Sequence, residues 1–274
     1  MATKVNAPKA KKQSAGFKGI KSAGLVMVAC FCIALCIFNF VLGNPANFTG
    51  EDPTNGHPLN MLGTVYKGGI VVPCIQTLLL TVIALSIERF FAIKTAYGKS
   101  SLFKFVEAIK GALKAGDLEK AQEICDKQRG SVAAVVSATL IKYKQVENDE
   151  RLSKEQKILA IQKELEEATA LEMPMMQQNL PIIGTITTLG TLFGLLGTVV
   201  GMIRSFAALA SGGGADSVAL STGISEALVN TAFGILTGAL AVISYNYYTN
   251  LIDKLTFSLD EVGFTIVQTF SSTH

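Results

Sequence analysis

Apolar residues fall into four blocks along this 274-residue chain. The first covers roughly residues 24–43 and the second roughly 69–87. The third and fourth lie close together between Gly184 and Tyr248, reading GTITTLGTLFGLLGTVVGMI and GISEALVNTAFGILTGALAVISYN, with SGGGADS between them. A helix rises about 1.5 Å per residue, so about 20 apolar residues cross a hydrocarbon core. The pattern predicts spanning helices over 23–43, 67–91, 179–209 and 223–250. Between the second and third blocks the pattern changes. Over 92–178, apolar positions such as Ile158, Leu159, Ile161, Leu165 and Leu171 recur at helical spacing among Lys and Glu, without strand alternation. This predicts a helical domain that extends the membrane helices and supports assembly. Residues 251–274 predict one more amphipathic helix. The expected fold is an all-α integral membrane protein with four transmembrane helices and long cytoplasmic helical extensions.

Composition agrees. Charged residues make up 16% of the chain, against about 25% in soluble domains, and the mean hydropathy is +0.41. Charge placement orients the spans. Residues 1–22 hold six lysines and no acid, so the N-terminus belongs in the cytoplasm. The stretch 44–66 has Glu51 and Asp52 but no Lys or Arg, as expected of a periplasmic loop. Lys94, Lys99 and Lys104 follow the second span and return the chain to the cytoplasm. The loop 210–222 carries one acid and no base, which suits the outer side; the C-terminus then lies in the cytoplasm. The first apolar block is too long for a signal peptide, and LGNPANF is a poor cleavage site, so an uncleaved span is expected. Arg204 near the outer end of the third span runs against the charge rule and reads as a snorkelling side chain.

Several chemistries find no residues. His57 and His274 stand apart, four of the five cysteines lie in apolar blocks, and Cys125 stands alone. No zinc spacing and no Ser/His/Asp set is present. No metal, cofactor, enzymatic activity or nucleic-acid partner is expected. Asn47-Phe48-Thr49 matches a glycosylation sequon, a three-residue motif of little weight.

The hairpin carries the candidate chemistry. At about 100° per residue, Thr187, Thr191, Thr198 and Ser205 share one face of the third span, within roughly 40°. Gly190, Gly194, Gly197 and Gly201 form the adjoining stripe, a pattern that lets helix backbones meet closely in a bilayer. On the fourth span Thr222, Glu226, Asn230, Thr237 and Ser244 fall within roughly 80°, and Gly234 and Gly238 form a second close-approach pair. Thr231 lies off this stripe. Glu226 stands about one turn inside its span, where a carboxylate either caps the helix end or faces a polar lumen. The threonines either bond to their own preceding turn or line such a lumen.

These segments resemble the MotA/TolQ/ExbB proton channel family. The likeness rests on GLLGTV around Thr198, on the loop, on GISEAL continuing to Thr231 and Gly234, and on SIERFF at 86–91. It is most like the extended four-span ExbB-like proteins of the Bacteroidetes type; the span at 23–43 is additional to the common family pattern. The resemblance implies a homopentamer in the bacterial inner membrane, an ExbD-like single-helix partner in its lumen that brings the proton-carrying Asp, and a TonB-like protein that receives the energy. It implies lumen positions at Thr198, Thr231 and Glu226; Thr231 rests on the resemblance alone. Thr187, Thr191, Asn230 and Thr237 join them from the stripes. Asn230 puts an amide where the family usually has an apolar residue. Glu226 then reads as an accessory at the lumen's outer end. The alternatives are a stator-type (MotA, TolQ or gliding) motor subunit and a non-conducting membrane scaffold.

Overall fold

The computed structural model describes residues 22–54, 56–211 and 217–273. The basic segment over 1–21 and the centre of the Gly-rich loop lie outside the described residues. Among the described residues the chain is all-α: α1 (Ala23–Cys36), α2 (Met61–Lys67), α3 (Val71–Tyr97), α4 (Leu102–Lys114), α5 (Leu118–Gln128), α6 (Gly130–Glu147), α7 (Lys154–Gln177), α8 (Leu180–Ser211) and α9 (Ser217–Thr273). Four helices, α1 with its continuation, α3, α8 and α9, are long and apolar enough to cross a membrane. The protein is a multi-pass membrane protein. α9 passes residue 250 without interruption because no Gly or Pro stands there to break it; the change from apolar to mixed composition occurs within one helix.

The described residues divide into two compact units. One holds those of Ile20–Arg89 with Asn179–Thr249, the other those of Phe90–Gln178 with Asn250–His274.

In the first, apolar unit, α1 runs on as a π-helical turn, Ile37–Leu42, and a compact loop leads to α2. Asn47 stitches this end: its Nδ2 donates to the Val41 and Leu42 carbonyls at 2.9 and 3.0 Å, serving carbonyls that the helix itself leaves unpaired. The sequon asparagine is therefore a buried cap, 7% exposed. Phe38 stacks on Tyr66 at 4.6 Å, and Phe48 meets the same ring edge-on at 5.6 Å. Leu42, Val65 and Val72 close a small core, against which Val229 and Phe233 of α9 pack. Pro73 sits in the first turn of α3, where no intrahelical N–H bond is lost. At the other end of α3, Arg89 is fully buried and forks onto the buried Glu88. Asn179, in the left-handed conformation at φ 66°, starts α8 and donates to Glu88 Oε2 at 3.4 Å. Tyr248 ties α9 to α3 by donating to the Ser86 carbonyl at 2.6 Å.

In the second, polar unit, helices α4 to α7 pack with the later turns of α9. Leu102, Phe105, Val106, Ile109, Ala112 and Leu113 form the buried stripe of α4. On α9 the buried positions are Leu255, Leu259, Val262, Ile266 and Phe270, the last edge-on to Tyr143 at 4.8 Å. Ser153 and Gln156 form a reciprocal capping box that starts α7. Lys110 reaches Glu261 at 2.5 Å, tying α4 to α9.

Cys125 is sealed in this core, and burial pushes its thiol up to about 12. Only about one Cys125 in ten thousand is then a thiolate at pH 8, and thiolate is the reactive species. Alkylation at pH 8 followed by mass mapping is expected to leave Cys125 unmodified until the protein is denatured. Labelling of Cys125 in the native protein at rates typical of a free thiol contradicts this packing.

Candidate functional site

The α8–α9 hairpin is built by contact between two backbones. A Cβ added at Gly234 would lie 2.5 Å from the Gly190 carbonyl oxygen and 2.6 Å from Gly194 Cα. One at Gly238 would meet the Thr187 carbonyl oxygen at 2.7 Å, and one at Gly190 the Gly238 nitrogen at 3.0 Å. At Gly197 the obstacle is Asn230 Cβ at 2.6 Å, and at Gly201 it is Ala227 Cβ at 2.7 Å. The two glycine stripes thus face each other, and the spacing that exposes backbone on each helix sets the crossing.

That crossing brings Thr198 and Thr231 together. Their hydroxyls are hydrogen-bonded to each other, and both reach the Gly194 carbonyl, at 3.2 Å from Thr198 and 3.1 Å from Thr231. Each hydroxyl has one proton and two lone pairs. Two protons therefore serve the whole set. One hydroxyl donates to its neighbour, and the neighbour donates to the carbonyl. Both protons are used internally, and what remains is acceptor capacity. Such a pair receives a hydrogen bond from a protonated acid but offers an ionised one no donor unless an internal bond breaks. The same side of α8 carries an open apolar concavity of about 490 Å³, lined by Thr198, Val199, Met202, Ile203 and Phe206.

The other hydroxyl and amide positions are placed differently. Thr187 bonds to the Gly184 carbonyl at 2.6 Å, and Thr191 packs over Gly238. Thr237 is fully buried and bonds to the Phe233 carbonyl at 2.8 Å. Asn230 is 3% exposed; its Nδ2 donates to the Gly68 carbonyl at 3.1 Å, and its side chain fills the notch left by Gly197. Asn230 and Thr237 are therefore set between helices of the chain itself, not on an open face. Ser205 likewise bonds to the Gly201 carbonyl at 2.9 Å. These short polar side chains return to carbonyls because a helical turn puts an acceptor three or four residues back.

Glu226 is half-buried one turn before Asn230 on α9. Arg204 does not extend freely: its guanidinium lies on the backbone of Gly69.

Two features run against the sequence pattern. The Glu88–Arg89 pair at the end of the second apolar block is buried, where charged side chains are rare unless paired. Thr231 lies against α8, although its angle relative to Glu226 put it off the polar stripe. The useful signal was the glycine register: a Cβ at Gly194 would lie 3.2 Å from Thr231 Cα, so the face of α9 that meets the α8 glycines includes Thr231.

Residues 134–261 match the MotA/TolQ/ExbB proton channel family. The chain is 31% identical over 199 residues to a putative biopolymer transport protein, ExbB-like 1 of Synechocystis, covering 70% of this chain and 71% of that relative. This chain belongs to the MotA/TolQ/ExbB proton channel family. Among other relatives, ExbB-like 3 of Synechocystis is 36% identical over 89 residues, 32% of this chain and 42% of the relative. The Tol-Pal system protein TolQ of Haemophilus influenzae is 31% identical over 104 residues, 34% of this chain and 46% of the relative. The chain thus spans less than half the length of these last two. The family match takes in all of α8 and most of α9, with Thr198, Glu226 and Thr231. Helices α1 to α5 precede the matched residues.

Proposed function

We propose that this chain is an ExbB-like subunit of an inner-membrane, proton-driven motor that energises TonB-dependent outer-membrane transport. The observation that carries the reading is the Thr198–Thr231 hydroxyl pair on the Gly194 carbonyl, set beside the concavity of α8. In this reading copies of the chain form a ring, a pentamer as in ExbB-like proteins, with α8 and α9 facing a central lumen and both termini in the cytoplasm. An ExbD-like helix occupies the lumen and brings a carboxyl group. Protonated, that carboxyl donates to the acceptor-rich pair at Thr198 and Thr231. Ionised, it loses this interaction and leaves for another position. Proton flow supplies about 2.3 kcal/mol per charge per 100 mV, before any pH difference, to drive that alternation. Thr187 and Thr191 continue the hydroxyl face, Glu226 stands at its outer end, and the chain performs no covalent chemistry.

The test is proton-driven uptake through a TonB-dependent transporter in Thr198→Val and Glu226→Ala strains. Assembly is checked by the mass of the purified complex. Thr198→Val is expected to lower uptake at least tenfold with normal assembly, about 1.4 kcal/mol of lost coupling, and Glu226→Ala to lower it less. Full uptake in both sinks the assignment. The similarity to a Tol-Pal system protein supports a second reading, a TolQ-like motor with the same lumen and a different output. Normal uptake combined with a defective cell envelope in the Thr198→Val strain selects it.

A further inference from the structure

Three segments meet at the Asn230 side chain: the end of α2, α8 and α9 itself. On the α2 side, Gly68 follows the last residue of that helix, where carbonyls are left without intrahelical partners. The Gly68 carbonyl receives Asn230 Nδ2 at 3.1 Å, from 162 positions later in the chain. The approach leaves no room for a side chain at Gly68: an added Cβ would lie 2.4 Å from Asn230 Oδ1 and 3.0 Å from its Cγ. On the α8 side the same amide fills the notch at Gly197, where an added Cβ would lie 2.6 Å from Asn230 Cβ and 2.9 Å from Nδ2. Asn230 is thus a wedge held on two faces by glycine backbone, short enough to fit and able to donate. The peptide that follows it is held as closely. A Cβ at Gly194 would lie 3.2 Å from the Asn230 carbonyl oxygen and 3.2 Å from Thr231 Cα. Thr231 starts from this peptide, and its hydroxyl reaches the Gly194 carbonyl at 3.1 Å and the Thr198 hydroxyl.

We propose that Asn230 is a positioning residue for Thr231: wedged between Gly68 and Gly197, it fixes the rotation of α9, holds the Thr198–Thr231 pair together and couples that pair to the N-terminal hairpin. The role of the pair in proton coupling rests on the motor reading; the wedge itself is a property of the chain. The link runs through main chain at both ends, the Gly68 carbonyl and the Asn230–Thr231 peptide. Between them stands one clamped amide with no freedom to absorb a shift, so a displacement of α2 passes to Thr231. The hairpin lies ahead of the residues that match the family. It therefore gives this chain a hold on the hydroxyl pair that the matched residues do not contain.

The experiment uses the full-length protein in lipid nanodiscs with Thr198→Cys and Thr231→Cys introduced and the native cysteines kept. The rate of oxidative disulfide formation between positions 198 and 231 is read by peptide mapping. Asn230→Ala, Gly68→Ala and the two together are then added, and proton-driven uptake in cells is measured with both threonines in place. Asn230→Ala is expected to slow the cross-link about tenfold, since a displacement of about 1 Å has effects of that size or more where geometry controls a rate. It is expected to lower uptake about fivefold. Gly68→Ala is expected to slow the cross-link as well, because its Cβ displaces Asn230 Oδ1, and it keeps the test available if Asn230→Ala does not accumulate. In the Asn230→Ala background Gly68→Ala is expected to add about half or less of its single effect, because the obstructing oxygen is gone. An unchanged cross-linking rate in Asn230→Ala, even with a lowered unfolding midpoint, makes Asn230 a packing residue only and overturns the proposal. So does an equal Gly68→Ala effect in both backgrounds, which assigns that effect to Val72 Cγ2, 2.7 Å from the same Cβ. Slowed cross-linking with full uptake supports the wedge and counts instead against the role of the pair in the motor.

Discussion

Arg89→Met is expected to lower the stability of the protein by about 3–5 kcal/mol, because it removes the cation paired with a buried carboxylate. Arg89 has no exposed surface and Glu88 has 5%. The pair lies in the apolar unit, where Asn179 adds a donor to Glu88 Oε2 from the first residue before α8. Taking two ions out of water is costly, and their attraction balances that cost only while both are present. Removing the guanidinium takes away the cation paired with Glu88 and raises the cost of keeping that buried carboxylate charged. The double substitution Glu88→Gln with Arg89→Met removes both ions and is expected to recover most of the loss. Unfolding midpoints in lipid nanodiscs check this. If the double variant is as unstable as the sum of the two single variants, the buried pair is not the cause.

Gly234→Leu is expected to separate α8 from α9 and abolish the assembled, active protein. Here the obstacle is main chain: the Gly190 carbonyl oxygen at 2.5 Å and Gly194 Cα at 2.6 Å from an added Cβ. Side-chain rotation cannot relieve such a clash. Overpacking of interiors typically costs about 1–3 kcal/mol where neighbours can shift, and two helix backbones shift only together. The same displacement pulls Thr231 from Thr198 and from the Gly194 carbonyl, so loss of function is expected even in any fraction that remains folded. Gly223→Leu is not an equivalent control, since its neighbour is the Ser205 side chain; Gly111→Leu is, because open space surrounds that position. Retention of uptake by Gly234→Leu contradicts the close crossing.

Much of this architecture was legible because membranes make strong demands on sequence. Apolar blocks about 20 residues long suit a membrane span and little else, and the all-α class follows once backbone groups must be satisfied within each segment. The glycine stripes were legible for the same reason, since regular loss of side chains in an apolar helix exposes backbone. The site was less so. A helical angle shows which residues share a face but not what that face meets. Thr237 and Asn230 share the stripe of Glu226, yet they pack between helices within the chain, Asn230 onto Gly68, a residue 162 positions earlier. Thr231 lay off the stripe, yet it sits beside Thr198, because the register of Gly194 against Gly234 decides that meeting.

The backbone crossing at Gly190, Gly194 and Gly234 has a mechanical consequence. Side chains between helices act as compliant spacers: they change rotamer and let the axes slide. Here the spacers are missing, and α8 and α9 touch along main chain, which does not compress. The hairpin should therefore move as one stiff plank. In any ring built from such planks, the give must come from the seams between neighbouring subunits.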